Sequence, residues 1–120
     1  MGFLMQHPDL YFYKAQILSV YDGDTLTAMV DLGFDTYREM RFRLAEIDTP
    51  ELRGEERPRG LIARDALIEQ LDDGDVIIES IRDKKGKYGR YLAIVWKAGA
   101  SGDLVNLNQW LLDQGFAEKY

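Results

Sequence analysis

"TLTAMVDL" (residues 25–32) alternates along its length, with Leu26, Ala28, Val30 and Leu32 pointing one way and Thr25, Thr27 and Asp31 the other. A period of two marks a strand with one buried face, so this stretch predicts a half-buried β-strand. Just upstream, "DGD" (residues 22–24) offers a turn, and the β-branched and aromatic run 11–21 supplies a hairpin partner. Downstream, "MRFRLAEI" (residues 40–47) alternates again, placing Met40, Phe42 and Leu44 on one face and Arg41 and Arg43 on the other. "VIIESI" (residues 76–81) and "YLAIVW" (residues 91–96) read as two further strands around a basic loop.

Helical spacing appears twice. Ala63, Ala66, Leu67 and Leu71 share one face, with Pro58 suited to a helix start and Gly74 to a stop. Leu104, Leu107, Trp110 and Leu111 mark a second amphipathic helix, ended by Gly115. Three strands, a helix, two strands and a helix predict a mainly β fold with α. The expected architecture is a five-stranded OB-type Greek-key barrel with a helix after strand three and a C-terminal helix.

A chain of 120 residues is long enough to bury a core without disulfides or a structural metal, so residues 1–120 read as one domain. Residues 1–10 are expected to form a flexible N-terminal extension. No apolar run has the length of a membrane span, and no signal-peptide pattern opens the chain, which predicts a cytoplasmic protein without membrane contact. A monomer is expected. With no cysteine and only His7 as histidine, the sequence argues against thiolate sites, zinc catalysis and serine–histidine triads. Any metal should be a hard cation held by oxygen.

The net charge of −6 argues against general nucleic-acid binding, but the charge is uneven. Residues 38–97 hold 13 of the 15 basic residues alongside 13 acidic ones, and "RDKKGKYGR" (residues 82–90) carries five cations and one anion. The acidic excess lies in the flanks.

Two acidic motifs carry candidate chemistry. "DGD" places Asp22 and Asp24 at a hairpin mouth, and "DTPE" places Asp48, Thr49, Pro50 and Glu51 directly after the third strand. Each alone is an ordinary polar turn. Together, Asp24 and Asp48 could chelate a calcium ion with carbonyl and water oxygens. Arg43 and Arg90 would add the guanidiniums that match phosphate oxygens, completing the parts that phosphodiester cleavage needs. Arg41, Arg53, Arg57 and Arg59 read as solvated surface cations.

The motifs "VYDGDTL", "FRLAEIDTPE" and "KYGRYLAIVW", followed by "VNLNQWLLDQGFA", occur in an order and spacing similar to those of the staphylococcal nuclease (thermonuclease) family. The resemblance covers the chain from about Tyr13 onward. It implies an SNase-like OB domain whose members cleave the bond between phosphorus and the 5′ oxygen in DNA and RNA, leaving 3′-phosphate ends. On this resemblance Asp24 and Asp48 are calcium ligands with the Thr49 carbonyl, and Glu51 is the general base. Arg43 and Arg90 stabilise the transition state, Lys87 and Tyr88 hold the substrate, and Asp22 supports the metal site from behind its ligands. Tyr120 is the candidate for an aromatic residue that follows the second helix in that family. Two other classes remain compatible: a non-catalytic nucleic-acid-binding OB module, and a protein-interaction domain of a larger assembly.

Overall fold

The computed structural model describes residues 10–71, 74–81 and 91–120. Its strands are β1 (Phe12–Asp22), β2 (Thr25–Asp31), β3 (Tyr37–Leu44), β4 (Ile47–Asp48), β5 (Asp75–Ile81), β6 (Tyr91–Ala98), β7 (Leu104–Asn106) and β8 (Glu118–Lys119). Helix α1 (Arg57–Gln70) follows β4, and α2 (Leu107–Asp113) follows β7. Residues 1–9 of the expected N-terminal extension and the basic loop at 82–90, with Lys87, Tyr88 and Arg90, lie outside the described residues.

The main sheet runs β3-β2-β1-β5-β6-β7, and a parallel β3–β6 pairing closes five of these strands into a barrel. This is the expected mainly β OB-type fold with two helices. Closure bends β1, which carries register shifts between Ile17 and Ser19 and again between Val20 and Asp22. Such bulges add local twist and let a sheet coil back on itself.

Alternation along β2 buries Leu26, Ala28 and Val30, while β3 contributes Phe42 and Leu44. Leu67 from α1, Leu71 at its C-terminal cap, and Leu107 and Leu111 from α2 complete the same core. Two side chains break the alternation. Leu32 lies beyond the end of β2 and is exposed, and Thr25 is buried where β2 enters the turn carrying Asp24.

The second helix starts later than the spacing of apolar residues predicts. Leu104 belongs to β7, which pairs with Ala98 and its neighbours across the turn at residues 99–103. Asn106 then caps α2, its side chain accepting the Gln109 N–H at 3.0 Å. Two residues further on, Asn108 is buried, and its amide oxygen and nitrogen are both engaged. It donates to the carbonyls of Ala45 and Ala93 and accepts the Val95 N–H. This amide therefore ties α2 both to β6 and to the β3–β4 turn.

Candidate active site

The two acidic motifs meet. The β1–β2 turn carries Asp24 into a buried position, where Oδ2 accepts the Thr49 N–H at 3.0 Å and Oδ1 accepts the Thr25 hydroxyl at 3.1 Å. Asp22 braces the turn, since its Oδ1 accepts the Asp24 N–H at 3.0 Å. Gly23 does not adopt a left-handed backbone. A Cβ there would lie 2.7 Å from Thr49 Cγ2 and 3.0 Å from Ala63 Cβ, so what glycine provides is close approach rather than an unusual bend. Gly60 plays a comparable part in α1: a Cβ would lie 2.5 Å from the Glu51 carbonyl oxygen. The helix thus packs directly on the main chain that presents Glu51.

Arg43 projects from β3 on the face opposite Phe42 and Leu44. Its Nη2 lies 3.8 Å from Asp24 Oδ2 and 3.5 Å from Asp48 Oδ1. The guanidinium is largely shielded, Asp24 is almost completely so, and Asp48 is open to solvent. Tyr120 covers Arg43 from outside, with Cζ 4.6 Å from the ring centroid. Its N–H donates to the Glu46 carbonyl, and β8 pairs with β4 just before it. Glu51 lines the same cleft, its Oε2 accepting Arg53 Nε at 2.7 Å in an exposed pair that opens at little cost.

The electrostatics reflect crowded negative charge. Burial, reinforced by the neighbouring Asp24 carboxylate, pushes Asp22 up to about 6. Burial and Asp24 also raise Asp48, against the opposing pull of Arg43.

The donor set fits a hard cation. Asp24 Oδ2 and Asp48 Oδ1 converge on one positive group, here the Arg43 guanidinium. Among the described residues, Thr49 Oγ1 is the buried side-chain oxygen or nitrogen without a hydrogen-bond partner, and it lies in the same site. Among the described residues, no three acidic or histidine side chains are placed to hold a metal ion together. An ion held here would therefore rely on two carboxylates plus main-chain and water oxygens, a mixture that suits calcium.

The cleft of about 430 Å³ is also lined by Tyr21, Arg41 and Arg53, which sequence reasoning missed or assigned to solvated surface. Arg41 shares the Arg43 face of β3 by simple alternation, a signal present in "RFR". Tyr21 gave none, because its direction depends on the bulge in β1.

The sequence profile described as staphylococcal nuclease homologue matches residues 41–120. An uncharacterized protein of Methanocaldococcus jannaschii is 30% identical over 129 aligned positions, which cover 90% of this chain and 59% of the relative. The chain thus spans well under two thirds of that relative's length. The profile begins within β3 and takes in Arg43, the "DTPE" arm, both helices and β5 to β8. On this match, and with a closed OB-type barrel beneath it, the chain belongs to the staphylococcal nuclease family.

Proposed function

We propose that the protein is a calcium-dependent nuclease that hydrolyses phosphodiester bonds of DNA, RNA or both. The observation that carries this reading is that Asp24, Asp48, Arg43 and Glu51 line one cleft, with both aspartates beside the same guanidinium. Asp24, Asp48 and the Thr49 carbonyl would hold the ion, which supplies Lewis-acid polarisation of a phosphoryl oxygen when bound.

The remaining work falls to the chain's own side chains. A guanidinium has five N–H donors, so contact with two carboxylates through Nη2 leaves Arg43 donors for a phosphate. Those donors neutralise charge that grows on the equatorial oxygens as water attacks phosphorus. Glu51 accepts the proton of that water once its exposed pair with Arg53 opens. The bond to the 5′ oxygen breaks, the departing oxygen takes up a proton, and a 3′-phosphate end remains. Arg90 is proposed as the second guanidinium, and Lys87 and Tyr88 as substrate holders, on the motif likeness alone.

Incubation with a single-stranded DNA oligonucleotide and calcium tests this reading. Cleavage is expected with calcium, and not with EDTA or in Glu51→Gln. Intact substrate at every calcium concentration and ionic strength would sink the enzyme reading, and strand binding without cleavage would identify a binding module instead.

A further inference from the structure

The cleft holds one cation whose partner is unlike the others. Arg43 faces Asp24 and Asp48, and Arg53 faces Glu51. Among the described residues, no carboxylate pairs with Arg41. Its guanidinium instead lies over an aromatic ring, with Cζ 5.3 Å from the Tyr21 centroid. Its cross-strand neighbour on β2 is Thr27, which offers a hydroxyl and no carboxylate.

Tyr21 is equally unusual. It falls between Val20, paired with Leu26, and Asp22, paired with Thr25, at the register shift in β1. The earlier register shift between Ile17 and Ser19 resets the phase of the strand, so Val20 packs on the core and Tyr21, next to it, turns its ring to the cleft. Its 59% exposure means that most of its surface is uncovered even with Arg41 beside it. An uncovered tyrosine costs solubility and adds nothing to the core.

We infer that Tyr21 and Arg41 form a second nucleotide subsite beside Arg43: an unpaired base stacks on the Tyr21 ring while its phosphate is held by Arg41. This rests on the nuclease reading for the identity of the first phosphate position. Residues two apart on a strand leave the main chain about 6.7 Å apart on one face, so Arg41 and Arg43 spring from points spaced close to the phosphate-to-phosphate step of an extended strand. Aromatic faces accept any base, and a base can reach the ring only when it is free of a complementary strand. The pair therefore selects an unpaired strand of at least two nucleotides over a duplex. It also supplies cationic contacts locally, in a chain whose overall charge repels nucleic acid.

The test is fluorescence anisotropy with a labelled eight-nucleotide DNA strand, in EDTA and in calcium with Glu51→Gln, so that the probe stays intact. Arg41→Gln is expected to weaken binding by about tenfold and to lower the slope of log affinity against log salt by about one. Tyr21→Leu should weaken binding by a similar factor while Tyr21→Phe retains it, which separates stacking from mere apolar bulk. The duplex of the same sequence should bind more weakly and respond less to both changes. Unchanged affinity in Arg41→Gln and Tyr21→Leu, equal losses for strand and duplex, or no binding by the parent protein would each overturn the subsite. Binding with these sensitivities but without cleavage would leave the subsite standing and reject only the nuclease chemistry.

Discussion

The Asp24 carboxylate accepts the Thr49 N–H at 3.0 Å, joining two acidic turns that lie 25 residues apart. This bond brings the hairpin mouth and the "DTPE" arm into one cleft. It depends on the close approach of Gly23 to Thr49, because any larger residue would separate the two turns.

Gly23→Ala is therefore expected to destabilise the protein by about 2 kcal/mol, in the range for a side chain forced into packed space. It should also abolish the rise in melting temperature expected when calcium is added to the parent protein. Thermal unfolding with and without calcium reads both effects.

Gly60→Ala acts on the other wall. The added methyl group presses on the Glu51 main chain, so cleavage should fall by at least tenfold through misplacement of the carboxylate. Strand affinity, measured by anisotropy, should change much less. A parallel loss of binding and cleavage would contradict a role confined to Glu51.

Asn108→Leu removes the amide that links α2, β6 and the turn at Ala45. The Val95 N–H and the Ala45 carbonyl lose their partner inside the core, which predicts a loss of roughly 3 kcal/mol. Urea unfolding measures it. Since Ala45 lies between Arg43 and Asp48, the variant should also bind calcium more weakly.

Asp22 gives a pH dependence with a definite sign. Its folded value near 6 lies above the ordinary 3.8, so the folded state holds the proton more tightly than the unfolded chain. The stabilisation is complete below about pH 4 and is lost as pH rises through 6. In EDTA the parent protein should lose about 1 kcal/mol over this window, after discounting for partial solvent screening. Asp22→Asn keeps an oxygen for the Asp24 N–H and should remove that loss. Urea midpoints at pH 4.5 and pH 7 decide it.

Much of the barrel was legible in the sequence because period-two alternation is imposed by burial of one sheet face. Leu26, Ala28 and Val30 show it without ambiguity. The start of α2 was less legible: Leu104 fits the helical spacing, yet β6 offers it a strand partner, and pairing overrides spacing. The cap at Asn106 was the available signal. Strands β4 and β8, two residues each, carry no period at all, so the contact between Tyr120 and Arg43 could not be foreseen. Asp24, Arg43, Asp48, Thr49 and Glu51 were all named from their motifs, and the fold brings them to one cleft. Tyr21 was missed because its direction depends on a bulge, whereas Arg41 lies on the Arg43 face by plain alternation and was assigned to the solvated surface.

Asp24 and Asp48 are proposed to hold one calcium ion together in this cleft. Isothermal titration calorimetry of the parent protein, Asp24→Asn and Asp48→Asn tests it most directly. One calcium bound per chain is expected for the parent, with at least a tenfold loss of affinity in each variant. Calcium binding of equal strength in Asp24→Asn, or none in the parent protein, would contradict it.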